Sequence, residues 1–212
     1  MTSSEESWSE RICTFLHGAL DFVWYCLRLS VVFLLFSLPV ITVFAALGAA
    51  VSCIAETQRS GYAPVFDRFL QYFKANALRS SVLGAGCAIT GIALAVSGTY
   101  YYYLTAGSAV QYLAVIIFAM MVFFDFSFLI CYFCVNALVD LPLGVMLANI
   151  ARYALLTIPA NLGLLLAAVL LGVLLCIKPF LLTLLPLLLC LYGWLCVLSH
   201  KDKILFYMTA NE

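Results

Sequence analysis

The chain has 212 residues, of which 66% are hydrophobic and only 9% are charged. A water-soluble domain typically carries about 25% charged residues, so this composition excludes an ordinary soluble fold. The sequence has ten basic and ten acidic residues, so it has no excess of positive charge with which to bind nucleic acid. We therefore expect one all-α integral membrane domain over residues 1–212.

Residues 8–28 place apolar side chains at helical spacing on one face and polar side chains, including His17, on the other. This pattern predicts an amphipathic helix that lies among the lipid headgroups and then enters the bilayer. The first residues lack the basic start and the small-residue cleavage site of a signal peptide, so we expect them to be retained.

Residues 22–55 form an apolar stretch that is interrupted by Arg28 and by Pro39. A hydrocarbon core needs only ~20 helical residues, so the stretch is either one long, kinked helix or a hairpin. Pro39 removes a backbone donor and is the expected hinge, and Thr42 is placed to be the N-cap of a new helix. The residues that follow are small, which favours close helix contact and predicts that this stretch is the packing centre.

Residues 56–81 are the main polar segment, and we predict that they form a basic cytoplasmic loop with a second amphipathic helix. The basic side chains would anchor in anionic headgroups or form a docking surface for a partner. They are Arg59, Arg68, Lys74 and Arg79. Pro64 and Lys74 have the same spacing as Pro142 and Arg152, which indicates a weak internal repeat. In each copy, a short amphipathic helix is predicted to lead into a span.

Further spans are predicted over residues 82–104, 110–135, 153–176 and 180–198. With a hairpin at Pro39 the chain has about six hydrophobic helices, and with one long first helix it has five. The hairpin version places nine of the ten basic residues in the cytoplasm. The positive-inside rule therefore favours the hairpin, and both versions leave the C-terminus in the cytoplasm.

Asp125 lies inside a predicted span, where a carboxylate is costly unless it is paired, protonated or facing water. One interpretation is a proton or cation site, or a contact to the basic group of a partner. The other is a structural ion pair with Arg28, which the hairpin topology would put at similar depth. The structural pair is favoured, because one acid makes no relay and no second intramembrane acid stands nearby.

Cys131 and Cys134 form a CxxC pair late in an apolar helix, where the helix N-terminus that activates redox thiols is missing. We expect them to be buried, inert thiols. Asn161 and His200 are expected to bridge or cap helices. The sequence has no phosphate-binding, metalloprotease or serine-hydrolase motif, so we expect no catalytic residue, no cofactor and no metal.

Two stretches resemble the YesL-like family of bacterial integral membrane proteins. They are residues 34–50, LLFSLPVITVFAALGAA, and residues 59–76, which run from the RSGY turn to FDRFLQYFKAN. The family usually continues as Thr-Ile-Gly after the proline step, whereas this chain has Thr42-Val43-Phe44. The resemblance implies a small all-helical membrane protein of Gram-positive-type bacteria.

Members of this family often accompany carbohydrate uptake systems, especially ATP-driven sugar importers, and the family has no established activity. This context, the small-residue helix faces and the lack of an ionisable pathway together lead us to expect a non-catalytic accessory or assembly partner of permease subunits in the plasma membrane. The alternative is an independent small-solute transporter or channel with Asp125 in its pathway, since interrupted helices line transport sites. The bilayer is the expected surrounding partner, and a homo-oligomer is left open.

Overall fold

The computed structural model describes residues 3–39, 42–61, 64–139, 142–177 and 185–209. Every regular element in these ranges is an α-helix, as the sequence predicts. The helices are α1 Ser3–Ser37, α2 Val43–Ser60, α3 Val65–Leu104, α4 Ala109–Leu138, α5 Leu143–Leu156, α6 Ile158–Ile177 and α7 Leu185–Thr209.

Three of these helices are long and apolar enough to cross a membrane. They contain the windows Leu20–Ser37, Val65–Leu104 and Val110–Leu138. A bent pair, α5 and α6, raises the number to four if the pair is counted as one span. The described helices are therefore compatible with a membrane protein, and the count of six crossings stays a prediction.

The apolar stretch that begins the chain is broken next to Pro39, as expected. The helix α1 ends at Ser37, and α2 begins at Val43. The Tyr25 hydroxyl donates to the Cys53 carbonyl at 3.0 Å, which folds α2 back against α1. This contact contradicts the alternative of one long helix. Residues 8–28 are helical, as predicted, and they belong to the same helix as the apolar part of α1.

Thr42 occupies the N-cap position of α2, but its side chain makes no cap bond to that helix. Its hydroxyl instead donates backwards, to the carbonyl of Phe36 at 2.6 Å and to the carbonyl of Pro39 at 2.8 Å. These carbonyls lie at and beyond the C-terminal end of α1, where intrahelical partners run out. Thr42 therefore closes the first helix rather than opening the second.

The helix α2 is the packing centre, as the run of small residues predicts. It packs against α1, α3, α4 and α7. Buried residues occur all around it, and most of them are small: Ala45, Ala46, Gly48, Ala49, Ala50, Ser52, Cys53, Ile54, Ala55 and Thr57. Small side chains let four neighbouring helices approach one backbone closely, which is how helices associate in lipid.

The polar segment 56–81 is not a loop. Residues up to Ser60 complete α2, and Val65 already begins α3, so only a short connection separates the two helices. Gly61 in that connection has a φ of +85°, a conformation that side chains rarely adopt. The expected amphipathic helix is the first part of α3, because no proline or glycine turn interrupts the chain between it and the predicted span 82–104.

The helices α3 and α4 form a long antiparallel hairpin. Ser80 lies beside Tyr132 near its base, and the Tyr101 ring stacks on Phe118 near its tip. No described side chain between residues 85 and 126 is buried, although the bases of both arms are part of the core. The two arms therefore leave the bundle as a pair that contacts no other part of the described chain extensively.

The predicted span 153–176 is divided by a bend. The helix α5 runs on to Leu156, and α6 begins at Ile158, with 82° between the two. Pro159 explains the bend, because it offers no N–H to the carbonyl four residues earlier and its ring crowds that carbonyl. The predicted span 180–198 and the charged tail are also one element, since α7 continues to Thr209. Residues 178–184, where that span would begin, lie outside the described ranges.

Candidate functional site

Asp125 is half-buried on α4 and faces Gly91 of α3. A Cβ atom added to Gly91 would lie 3.1 Å from the Asp125 Oδ2 atom, so the glycine makes room for the carboxylate. Within the described residues, Asp125 makes neither a hydrogen bond nor an ion pair. A carboxylate without a partner on an apolar helix is costly in lipid, which makes this position a candidate contact site.

The expected ion pair between Asp125 and Arg28 is not formed. The Arg28 guanidinium lies over the ring of Trp24, 5.0 Å from its centroid, on the exposed side of α1. The helix α1 packs on α2, α3 and α7, whereas Asp125 belongs to the part of α4 that has left the bundle. The similar depth that the hairpin topology predicts for Asp125 and Arg28 is therefore not enough to pair them, because Asp125 lies on a part of α4 that α1 does not pack against.

The hairpin around Asp125 is otherwise apolar. Asp125 is the only charged residue between positions 85 and 126. Large hydrophobic side chains are exposed on both arms, such as Ile92, Val96, Ile116 and Met120. Twenty helical residues extend ~30 Å, which equals the hydrocarbon thickness of a bilayer. Four tyrosines, Tyr100 to Tyr103, are exposed at the tip, where an aromatic belt is predicted.

Three of the four predicted docking cations contact their own chain. A guanidinium N–H of Arg59 donates to the Leu138 carbonyl at 2.8 Å. Arg68 lies 3.4 Å from Glu56, and a guanidinium nitrogen of Arg79 lies 2.9 Å from the Met146 sulfur. Lys74 is exposed. Three of the four cations therefore have a partner within the chain, while Arg59, Arg68 and Lys74 remain exposed, and their role in docking stays a prediction.

Arg59→Met is expected to lower the stability of the protein in detergent. The guanidinium donates a hydrogen bond to the Leu138 carbonyl in the last turn of α4, where the helix dipole also favours a positive charge. Removing this bond costs about 1–2 kcal/mol, whereas the methionine keeps the apolar stem. Thermal unfolding of the purified protein measures the loss. Lys74→Met, which removes an exposed cation, is the control, and equal unfolding temperatures for the two variants would refute the capping role.

A second polar site lies at the bend between α5 and α6. Tyr153, Thr157 and Asn161 share one face of the bent pair at intervals of four residues, and all three are buried. The Asn161 amide donates to the Thr157 hydroxyl at 3.1 Å, and Thr157 donates to the Tyr153 carbonyl at 2.9 Å. On α7, the fully buried His200 places its Nε2 atom 3.0 Å from the Asn161 Oδ1 atom.

The orientation of this network depends on the proton on His200. The Nδ1 atom lies 2.9 Å from the Cys196 carbonyl, which can only accept, so Nδ1 is a donor. If the ring is neutral, Nε2 must accept a hydrogen bond from the Asn161 amide nitrogen. If the ring is charged, Nε2 must donate to the Asn161 amide oxygen. The Asn161 amide oxygen faces Nε2 because the amide nitrogen donates to Thr157.

The sequence predicts that Asn161 and His200 bridge helices, and both do. It does not predict that they meet each other or that Tyr153 and Thr157 complete the network. A signal was present, because polar residues at positions 153, 157 and 161 recur at four-residue spacing through an apolar segment. The pairing with α7 depends on the 82° bend, which the sequence does not quantify.

Cys131 and Cys134 are both buried free thiols. The Cys131 sulfur lies 3.6 Å from the Thr157 hydroxyl and 3.7 Å from the Asn161 amide nitrogen, so it borders the polar network. Cys134 faces an apolar cavity of about 240 Å³ between α1, α2, α4 and α7. No cluster of His, Cys, Asp and Glu suited to a metal ion occurs among the described residues.

Residues 24–97 match the sequence profile of a family described as "Protein of unknown function, DUF624". This region contains both stretches that resemble the YesL-like membrane proteins, so the predicted family relationship is confirmed there. It covers the C-terminal part of α1, all of α2 and most of α3, and so includes the packing centre. Asp125 and the polar network at the bend lie outside it. No curated protein and no solved structure matches the chain.

Proposed function

We propose that this chain, which matches the DUF624 profile over residues 24–97, is a non-catalytic accessory or assembly subunit that binds another integral membrane protein. The proposed partner is a permease subunit of an ATP-driven sugar importer in the bacterial plasma membrane. The choice of this partner rests on the family resemblance, which implies an association with carbohydrate uptake. The observation that supports a docking role is the outer part of the α3–α4 hairpin, residues 85–126, whose single carboxylate is Asp125.

The hairpin meets the requirements of a docking element in lipid. Lipid hydrocarbon chains can cover its apolar surface, but they cannot neutralise or hydrogen-bond the Asp125 carboxylate. A partner helix with an arginine or lysine at the same depth would cover the apolar arms and neutralise the charge together. Such a pair favours one partner and one register over non-specific association.

Asp125→Leu is expected to weaken this association. Affinity purification of the full chain from a mild detergent should recover permease subunits with the wild type. We expect recovery to fall about tenfold for Asp125→Leu, because a pair worth ~1.4 kcal/mol corresponds to that factor. Asp67→Asn, which changes an exposed acid at the start of α3, is the control and should behave like the wild type.

Two outcomes would count against the accessory role. One is a wild-type protein that always purifies without another membrane protein. The other is sugar uptake that is unchanged in cells from which the protein has been deleted.

The proposed topology has six crossings and places both termini in the cytoplasm. The fold of α2 back on α1 supports the hairpin on which this count depends. The positive-inside rule supports the orientation. Labelling of single cysteines placed before and after Pro39, from each side of the membrane, would distinguish this arrangement from one with five crossings.

The second candidate is an independent transporter or channel for a small solute. The sharp bend at Thr157, with its buried polar network, favours this function, because interrupted helices with polar residues line many transport sites. Flux in liposomes that contain the purified protein would support it, particularly if Asp125→Asn abolished the flux. Absence of flux for sugars and for protons would leave the accessory role as the better account.

A further inference from the structure

A groove of about 480 Å³ lies on the surface between α1 and the beginning of α3. One wall is formed by Trp24, Leu27, Arg28 and Val31 of α1, and the other by residues that include Pro64 and Phe66. Trp24, Leu27, Val31 and Phe66 are all exposed large hydrophobic side chains. The groove is therefore apolar apart from the Arg28 cation.

Among the described residues that line this groove, Arg28 is the only charged one. Its described contact is the face of Trp24, and no carboxylate pairs with it within the described residues. A guanidinium that lies on an aromatic ring still has its edge donors free for an oxyanion. The surrounding window, Leu20–Ser37, is apolar enough to enter a membrane. Arg28 lies near the middle of this window, but its guanidinium reaches back over Trp24 towards the N-terminal end, so the cation needs an anion at that level.

We propose that the α1–α3 groove binds an anionic phospholipid. The Arg28 guanidinium holds the phosphate, and Trp24 lies at the interface between headgroup and chain, where tryptophan is enriched. One acyl chain follows the apolar wall made by Val31 and Phe66. A headgroup with net negative charge is preferred over a zwitterionic one, because a zwitterionic headgroup brings its own cation towards Arg28.

The proposal predicts a lipid preference that native mass spectrometry can measure on the delipidated full chain. We expect one phosphatidylglycerol molecule to be retained more tightly than phosphatidylcholine with the same acyl chains. Arg28→Gln should weaken phosphatidylglycerol retention by about fivefold, the factor for one basic residue at a lipid surface. Lys74→Gln removes an exposed cation of α3 that does not line the groove, and it should leave retention unchanged.

Two results of this experiment would overturn the proposal. Equal retention by wild type and Arg28→Gln would show that the phosphate does not bind at Arg28. Equal losses for Arg28→Gln and Lys74→Gln would show general charge attraction. Soluble glycerol phosphate is a further arm, and we expect no retained adduct, because the acyl chain contributes the apolar part of the contact. Tight binding of glycerol phosphate alone would mean a free phosphate site and would also overturn the lipid assignment.

A second measurement does not depend on an Arg28 variant. Phosphatidylglycerol with brominated acyl chains should quench the fluorescence of Trp24, which is obtained as the difference between wild type and Trp24→Phe. We expect stronger quenching of this component than with brominated phosphatidylcholine at the same mole fraction. Equal quenching by the two lipids would contradict a selective site at this groove.

Discussion

Gly84→Ala is expected to destabilise the protein strongly. Gly84 is buried where α3 crosses Phe44 of α2, and an added Cβ atom would lie only 2.6 Å from the Phe44 Cβ atom. It would also overlap the first atoms of the phenyl ring. The Phe44 Cβ atom does not move when the side chain rotates, so the two helix backbones would have to separate.

The expected cost is about 3 kcal/mol, the upper part of the usual range for overpacking. It should lower the midpoint of thermal unfolding in detergent by roughly 5–10 °C for a chain of this size. Gly86→Ala is the matched control, because an added Cβ atom there meets nothing within 4 Å. If both variants unfolded at the same temperature, α2 and α3 would not approach as closely as Phe44 and Gly84 require.

His200→Ala is expected to have the second large effect. The substitution leaves a cavity in the core and removes the partner of the Asn161 amide, while His200 itself is fully buried. A lost buried hydrogen bond costs ~1–3 kcal/mol and the cavity adds to it, so we expect a loss of about 3 kcal/mol in total. Thermal unfolding with a probe of α-helix content measures it.

The control for this variant is His17→Ala, which removes the other histidine of the chain from an exposed position. It should change stability by less than ~0.5 kcal/mol. Combining His200→Ala with Asn161→Ala should cost less than the sum of the single losses, because each already breaks the shared bond. Strictly additive losses would mean that the two side chains do not interact.

Local signals in the sequence predict the breaks and the crowded centre of the fold. Pro39 ends a helix because it lacks the backbone N–H donor. The small residues between Ala45 and Ala55 favour a helix that packs closely against its neighbours. The Phe44 ring is accommodated by Gly84 on the facing helix, a contact that can be recognised only when the two helices are paired.

Contacts between distant helices could not be predicted in the same way. The hairpin topology would put Asp125 and Arg28 at similar depth, but it carries no information about which helices are neighbours. The interpretation of residues 56–81 as a loop was wrong, because charged residues on one face of a helix do not end it, whereas a glycine or proline turn does. The position of His200 beside Asn161 likewise depends on the angle at the bend.

The proposed docking role of the α3–α4 hairpin is tested most directly by site-specific photocrosslinking in cells. A photoreactive amino acid at Ile92, exposed on the hairpin, should form an adduct with a permease subunit, which mass spectrometry would identify. The same group at Leu78, exposed on α3 before residues 85–126, the part that leaves the bundle, should not. Adducts with lipid alone at Ile92, or the same protein adduct from both positions, would contradict a partner on the hairpin.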